Sequence, residues 1–380
     1  MLGMGKSWAL VSVLMCATAW SSDDTSSRLD DLQAQIDALS QNQVSAQQLG
    51  LPLHGFADVG YFSNSGDNVS QDGFVIGNLD FYMTPKLGGR WLSLAELVFE
   101  VNEEGELATD LERLQFGYAF NDALTLWVGR FHTPYGYWNT AFHHGAQIQP
   151  SIARPRFVDF EDDSGILPAH GIGLLASGHI NTGAGKIYYD GYLTNGNRIA
   201  DGVLDFNAAG DNDHNKQIGI NARYAFGGVL DGFSFGVHAL RQTVATIGEA
   251  GDVTARTNLQ MSGAYTVLDT DSWQGVAEYY RFHNADVTSG AAYNSTAWFA
   301  QLGYVFVRQT QLYVRVEKAD LDTMDAYFAD QESGRSYRRS VVGGKYDINR
   351  RIALKAEFLT TKEADDTSWH GIATQCAVSF

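Results

Sequence analysis

Histidine side chains are concentrated around one stretch of the chain, and imidazole is the commonest metal ligand in proteins. His132 precedes the stretch, His143 and His144 lie inside it, and His170 follows it. Their spacing matches no dedicated ligand motif, such as two histidines four residues apart on a helix. Adjacent residues of an extended chain also point to opposite sides. We therefore expect no metal site and no resident cofactor.

Motifs for covalent or phosphoryl chemistry lack the structural context that they need. The one G-x-S-x-G match, Gly232-Phe-Ser-Phe-Gly236, opens a predicted strand rather than joining a strand to a helix, and the other glycines fall at strand positions and turns rather than in a phosphate-binding loop. The segment Asp211-Asn-Asp-His-Asn215 offers oxygen ligands but lacks the glycine and terminal glutamate of an EF-hand loop. The sequence predicts a protein that is not an enzyme.

Charges of both signs are mixed in the segment between residues 133 and 169. Pro134 and Gly136 turn the chain sharply at its start. Opposed charges across a narrow passage select solutes by sign and dipole. Alternatively, the acidic run is a solvated surface that pairs locally with the arginines. The candidate residues of such a constriction are Arg130, His132, His143, His144, Arg154, Arg156, Asp159, Glu161 and Asp162.

The first nineteen residues have the pattern of a secretory signal peptide. Lys6 is followed by the apolar run Trp8–Ala19, which ends in an A-x-A cleavage signal. After cleavage only Cys376 remains, so an intrachain disulfide is impossible. The formal net charge of −18 argues against a nucleic-acid partner.

Residues 20–50 carry the pattern of a short coiled coil. Leu29, Leu32, Ile36 and Leu39 have the 3-4-3 spacing of a coiled-coil seam. The run is barely two heptads long, so the helix alone would be marginal. We expect it to associate several chains; an amphipathic helix or a disordered leader is the alternative.

From Leu53 onward the apolar residues recur with the period of two that is typical of β-strands. Each segment suffices to cross a bilayer when tilted, which takes about 9–11 residues. The predicted strands are 53–62, 72–83, 90–101, 110–120, 124–132, 170–180, 185–195, 215–226, 233–242, 255–266, 273–283, 295–306, 311–319, 337–346, 351–361 and 369–380. We predict an all-β fold, a 16-stranded antiparallel transmembrane β-barrel over residues 51–380, with a short N-terminal coiled-coil helix.

The connections alternate between short and long, as in membrane barrels with tight periplasmic turns and longer external loops. The longest is the third long loop, about 133–169, and connections of that length are usually functional. The predicted short turns are 83–89, 121–123, 181–184, 227–232 and 347–350. The predicted long loops include 196–214, 243–254, 284–294, 320–336 and 362–368.

Charged residues opposite the apolar strand face cannot contact lipid cheaply, so they are predicted to line a wet interior. Their balance of signs leaves the ion preference undecided. The predicted pore-wall residues are Arg113, Arg223, Arg315, Arg339, Lys355, Glu96 and Glu100, with Lys345, Asp58, Asp80, Glu317 and Glu357 on the same face. The C-terminal Phe380 resembles the terminal aromatic signal of outer-membrane barrels.

A family resemblance rests on Gly129-Arg-Phe-His-Thr-Pro-Tyr-Gly-Tyr-Trp-Asn-Thr140. This stretch resembles the Gly-[Arg/Lys]-Phe-x-Thr-Pro-[Phe/Tyr]-Gly motif of phosphate-selective-porin-like outer-membrane proteins. The resemblance implies a sixteen-stranded trimer with an N-terminal periplasmic coiled coil and an inward third loop. It does not imply phosphate selectivity, because the chain has only 26 Lys and Arg against 44 Asp and Glu.

Together these patterns predict a bacterial outer-membrane porin for passive diffusion of small hydrophilic or charged solutes. The expected partners are two further copies in a homotrimer, and outer-membrane lipid and lipopolysaccharide through divalent cations. An outer-membrane barrel with a hydrolase activity or a structural, interaction role is the alternative.

Overall fold

The computed structural model describes residues 53–65, 72–101, 105–159, 165–205, 215–307 and 309–380. The predicted signal peptide and the predicted helix within residues 20–50 lie outside the described residues. So do Glu161 and Asp162 of the candidate constriction.

Sixteen long strands form the wall of one barrel, which confirms the predicted fold class. Two further strands, β8 and β9, form a short hairpin within the predicted loop 196–214. The strands are β1 (Leu53–Asn64), β2 (Gly73–Met83), β3 (Trp91–Val101), β4 (Leu107–Asn121), β5 (Leu124–His132), β6 (His170–Thr182), β7 (Gly185–Asn195), β8 (Arg198–Ala200), β9 (Val203–Asp205), β10 (Lys216–Phe226), β11 (Phe233–Ile247), β12 (Val253–Asp269), β13 (Trp273–Asp286), β14 (Ala292–Val307), β15 (Thr310–Asp320), β16 (Tyr337–Asn349), β17 (Ile352–Glu363) and β18 (Ser368–Ser379).

The barrel closes because β1 pairs antiparallel with both β2 and β18. Gly55 and Phe380 exchange two backbone hydrogen bonds of 3.0 Å at this closure. Closure removes the unpaired edge that would otherwise expose backbone donors and acceptors.

Side chains alternate between an apolar outer face and a buried inner face. On β15, Leu312, Val314 and Val316 are exposed, whereas their neighbours Arg315 and Glu317 are buried. Outward aromatic pairs gather near the short turns, as the girdle of a membrane barrel does. Three such pairs, with centroids 4.7–4.9 Å apart, are Trp91 with Tyr118, Tyr224 with Phe226, and Trp273 with Tyr304.

Two predicted long loops are shorter in the structure than expected. Strand pairing continues through the predicted loops 243–254 and 284–294, which leaves only 248–252 and 287–291 as connections. Gly251 and Gly290 have φ of 79° and 73°, a left-handed conformation that glycine adopts without strain, so the hairpins turn tightly.

The helical elements within the described residues are single turns, and the sequence did not predict them. They are α1 (Trp138–Ala141), α2 (Ala326–Ala329) and two 3₁₀ turns at Arg156–Val158 and Gly228–Leu230. None of the helices in the described part of the chain is long and apolar enough to span a membrane.

Candidate constriction site

The third loop, residues 133–169, starts from a distorted end of β5. Gly129 has φ of 133°, and a Cβ there would lie 2.0 Å from the Leu114 carbonyl oxygen, so only glycine fits. The base of the loop is closed by Thr133 N–H, which donates to the Ala169 carbonyl at 2.8 Å. The Asn139 amide donates to the carbonyls of Thr133 and Ala169. This side chain therefore ties α1 to both ends of the loop.

One side of the loop packs against an apolar cluster inside the barrel. Trp138 meets Phe299 edge-on with centroids 5.6 Å apart, and Phe157 meets Tyr280 at 5.0 Å. Phe328 of α2 belongs to the same cluster. Side chains of this size dominate the energetics of buried contacts. The loop is thus a packed part of the interior in this sector of the wall.

Three buried wall carboxylates, which we call the anchor carboxylates, bind backbone N–H groups of the loop. Glu278 on β13 accepts from Tyr137 N and Trp138 N at 3.0 and 2.6 Å. Glu357 on β17 accepts from the N–H groups of residues 152 and 153 at 2.9 and 3.3 Å. Glu317 on β15 accepts from Arg156 N at 2.7 Å.

Each anchor carboxylate also accepts a hydrogen bond from a tyrosine hydroxyl of the wall. Tyr280 donates to Glu278 at 2.5 Å, Tyr313 to Glu357 at 2.7 Å, and Tyr337 to Glu317 at 2.9 Å. Buried carboxylates are stabilised when hydrogen bonds replace water around them. The repeated arrangement therefore holds the loop backbone at three places along the wall.

Two buried cations of the wall bind the loop carbonyls. Arg315 donates to the carbonyls of Ala153 and Arg154 at 2.8 and 3.1 Å. Lys355 donates to the carbonyls of Ala146 and Ser151 at 2.5 and 3.1 Å. Both were predicted to line the pore. They do face inward, but the loop covers them, and their exposed fractions are only 1% and 3%.

On the opposite sector, four histidines and one glutamate form what we call the imidazole cluster. Its members are Glu112 of β4, His132 of β5, His143 and His144 of the loop, and His170 of β6. All five are buried, and one possible ligand atom from each lies within 4.8 Å of the others. The expectation that the histidines lie apart therefore does not hold. The chain leaves α1 in a bend rather than an extended conformation, and the centroids of the adjacent rings of His143 and His144 are only 4.6 Å apart.

Glu112 reaches this cluster because of a β-bulge in β4. Glu96 pairs with Arg113 while Leu97 pairs with Leu111, so Glu112 is the extra residue between them. A bulge re-aims a side chain, and here two consecutive residues, Glu112 and Arg113, both contact inward-facing groups. The Glu112 carbonyl accepts from Arg130 Nε at 3.0 Å. The bulge has no signal in the sequence, and Glu112 was not predicted.

Burial and the Glu112 carboxylate shift the pKa values of the loop histidines in opposite directions. Burial lowers the pKa of His143 well below its usual range. Burial also opposes the charged form of His144, but contact with the Glu112 carboxylate overcomes this and raises the pKa of His144 to about 9. The two adjacent imidazoles therefore differ in charge near neutral pH.

The remaining candidate constriction residues are held in local pairs. Arg154 donates to the His143 carbonyl at 2.8 Å and lies 3.9 Å from the Asp159 carboxylate. Arg156 binds both oxygens of Glu363 at 2.7 and 2.8 Å. Arg154 therefore lies beside the acidic run, as the alternative interpretation of this segment assumed, whereas Arg156 pairs with a glutamate of the wall strand β17 instead.

The other predicted wall residues differ in how far they are exposed to solvent. Glu96 is buried and accepts from Arg113 Nε at 2.5 Å, whereas Glu100 is half-buried. Arg339 stacks over Trp369 and donates to Thr361. Arg223 stacks over Tyr188 with 4.4 Å between its guanidinium carbon and the ring centroid.

Two cavities flank the loop toward the end of the barrel that carries the short turns. A cavity of about 1070 Å³ is lined by Arg90, Tyr137, Asp190 and Arg223, among others. A second cavity of about 860 Å³ is lined by Tyr137, Gln301, Gln311, Lys345 and Asp347, among others. Tyr137 borders both cavities. Polar and charged groups of both signs thus line the space beside the loop.

The overall structure is similar to solved outer-membrane porins. The anion-selective porin from Comamonas acidovorans matches with a TM-score of 0.58 and 14% identity, over 87% of this chain and 99% of that one. Pseudomonas putida OprB matches with a TM-score of 0.60 and 8% identity, over 90% and 97%. Salmonella typhi OmpF, solved with daunomycin, matches with a TM-score of 0.56 and 11% identity, over 87% and 97%.

No protein-family model matches the chain, and no curated protein matches it in sequence. At such low identities the structural matches establish a shared porin fold.

Proposed function

We propose that this chain is an outer-membrane porin through which small hydrophilic or charged solutes diffuse passively. The observation that carries the proposal is the position of the third loop. It lies against the inner face of a closed sixteen-stranded barrel, where buried charges of the wall bind its backbone. A loop held in this way narrows the interior without depending on a ligand, and the polar cavities beside it can hold water and solutes.

The proposed constriction combines the loop with the half-buried charges of the wall. Arg223 and Asp190 face the larger cavity, and Lys345 and Asp347 face the smaller one. A solute passing Tyr137 would meet charges of both signs. Since Arg315, Lys355 and Glu96 are buried, we assign them to holding the loop and its surroundings rather than to solute selection.

Assembly, location and solute preference are the finer parts of the proposal. The exposed apolar residues of the outer face support a position in the bacterial outer membrane. The resemblance of Gly129–Thr140 to phosphate-selective-porin-like proteins, and the coiled-coil pattern within residues 20–50, favour a homotrimer. Acidic external loops favour contact with lipopolysaccharide through divalent cations.

The test is single-channel conductance of the purified chain in a planar lipid bilayer. We expect stepwise openings in groups of three, with a reversal potential under a salt gradient that reports the ion preference. If folded protein gives no conductance at any salt concentration or voltage, the porin function is wrong. Single, ungrouped steps would contradict the trimer alone.

A further inference from the structure

We propose that the imidazole cluster is a buried site for one divalent transition-metal ion of the zinc type, with Glu112, His143, His144 and His170 as ligands. The proposal concerns a structural site that ties the third loop to the wall. It does not depend on whether the barrel conducts.

The distances among the four donor atoms are those of a compact ligand set. Glu112 Oε2 lies 2.7 Å from His170 Nε2, 3.0 Å from His144 Nε2 and 3.8 Å from His143 Nε2. The Nε2 atoms of His143 and His170 are 2.8 Å apart. Tetrahedral zinc with bonds of 2.0–2.1 Å separates its ligand atoms by about 3.3 Å. The observed distances fall on both sides of this value, so small side-chain shifts suffice.

Outer contacts orient two of the three rings for coordination. His143 Nδ1 lies 2.9 Å from Asn139 Oδ1, which holds the proton on Nδ1 and leaves the Nε2 lone pair facing the cluster. His144 Nδ1 lies 4.0 Å from the Asp80 carboxylate, so its Nε2 also faces the other donors. A hydrogen-bond acceptor at the distance of Asn139 Oδ1 fixes the tautomer of a metal-binding histidine, whereas the Asp80 carboxylate places only a negative charge beside the His144 ring.

His170 has to exchange its tautomer when a metal binds. Arg130 Nη2 lies 3.2 Å from His170 Nδ1, and arginine can only donate, so Nδ1 accepts and Nε2 carries the proton. Coordination through Nε2 as a neutral imidazole requires the proton to be lost from Nε2 and a proton to be gained at Nδ1. The contact between Arg130 and His170 must then lengthen, while Arg130 Nε keeps its hydrogen bond to the Glu112 carbonyl.

The surrounding charge favours a cation. Three carboxylates, from Glu112, Asp80 and Glu96, lie within ion-pair distance of the histidines, and the guanidinium groups of Arg113 and Arg130 contact the same assembly. With neutral histidines, three negative and two positive charges leave one negative charge in excess. A divalent ion bound by three imidazoles and one carboxylate is the donor set typical of zinc, nickel or copper.

His132 completes the cluster as a stacked ring beside the ligands. Its ring lies parallel to that of His143, with centroids 3.6 Å apart. Its Nε2 is buried, has no hydrogen-bond partner among the described residues, and lies 3.9 Å from the Glu96 carboxylate.

The experiment refolds the full chain in EDTA, confirms the folded barrel by its electrophoretic mobility, and then measures Zn²⁺ binding by calorimetry and by metal analysis. We expect one Zn²⁺ per chain. Loss of an outer contact alone costs about 10–100-fold in metal affinity. The double variant His143→Gln/His144→Gln loses two ligands, so its Zn²⁺ affinity should fall by more than that. The matched control is His283→Gln, because His283 is exposed and remote from the cluster. Equal Zn²⁺ binding by wild type and the double variant would overturn the proposal.

A second measurement uses only the wild-type protein, so it does not depend on whether the variants fold. X-ray absorption of the Zn²⁺-loaded chain should show four nitrogen or oxygen ligands at about 2.0–2.1 Å, with the outer-shell signature of imidazole. A six-oxygen shell without imidazole would contradict the site. Loss of conductance with intact Zn²⁺ binding would count against the porin function alone.

Discussion

Two sectors of the wall hold the third loop by different chemistry. Along β13–β17, the anchor carboxylates and two buried cations bind the loop backbone above an apolar cluster. Along β4–β6, side chains of the loop meet side chains of the wall in the imidazole cluster. The first sector is complete without any added group, whereas the second is a set of donors converging on one point. The first therefore fixes where the loop lies, and the second can respond to pH or to a metal.

The strongest test of this difference removes Trp138, the largest side chain of the loop in the apolar cluster. Trp138→Ala should lower the free energy of unfolding by about 3–5 kcal/mol, the usual cost of truncating a buried aromatic residue. Trp273→Ala is the control, since Trp273 is 44% exposed on the outer face. Denaturant unfolding followed by circular dichroism measures both. Equal losses in the two variants would show that the loop is not packed into the core.

The next test removes one anchor carboxylate. Glu278→Ala leaves the N–H groups of Tyr137 and Trp138 and the Tyr280 hydroxyl without their acceptor. Since each buried unsatisfied donor costs about 1–3 kcal/mol, we expect the free energy of unfolding to fall by about 3 kcal/mol or more. Glu278→Gln keeps one acceptor oxygen, so its free energy of unfolding should fall by less. The single-channel current of Glu278→Ala should also fluctuate more than that of the wild type, because the loop backbone is less firmly held. An unchanged current trace would argue against anchoring of the loop by the Glu278 carboxylate.

A third test titrates the imidazole sector in the absence of metal. The pKa of His144 is raised from the usual 6.5 to about 9, so its stabilisation is fully present below pH 6.5 and disappears as the pH rises through 9. The difference in unfolding free energy between wild type and His144→Gln should therefore shrink across this interval in EDTA. A constant difference from pH 6 to pH 9.5 would mean that His144 is not charged in the folded protein.

The smallest expected effect concerns Arg223, a half-buried charge that faces the larger cavity and contacts the loop by stacking over the Tyr137 ring, 5.7 Å from its centroid. Arg223→Gln should change the unfolding free energy by no more than about 1 kcal/mol, yet shift the reversal potential toward cation preference because a positive charge leaves the larger cavity. Lys362→Gln is the control, since Lys362 is an exposed residue that pairs with Asp366. A shift of equal size in the control would place selectivity in the external loops.

The wall of the barrel could be predicted from sequence because alternation of polar and apolar residues is a local signal. Strands such as β5 (Leu124–His132) and β7 (Gly185–Asn195) have the predicted bounds. Most of the other strands extend beyond the predicted bounds, whereas β2, β3 and β10 begin one residue later than predicted. The extensions were missed because pairing to the hairpin tips depends on the partner strand and on the turn rather than on alternation. The short hairpin β8–β9 lies in a polar region and was missed for the same reason.

The site was only partly predictable. Inward orientation of Arg315, Lys355 and Glu317 follows from their strand face, but that the loop covers them does not, because their contacts span more than 150 residues of sequence. Glu112 could not be predicted at all, because a bulge reverses the face that alternation assigns to it. Bringing His143 and His144 together required the bend after α1, which has no pattern of its own.

The wall holds the loop largely by its main chain, and this has an evolutionary consequence. Glu278, Glu317 and Glu357 bind N–H groups that every residue except proline possesses. Substitutions at many loop positions would therefore change the surface presented to solutes while leaving the attachment intact. Related proteins can therefore change the surface that solutes meet inside such a barrel while the loop remains attached to the wall in the same way.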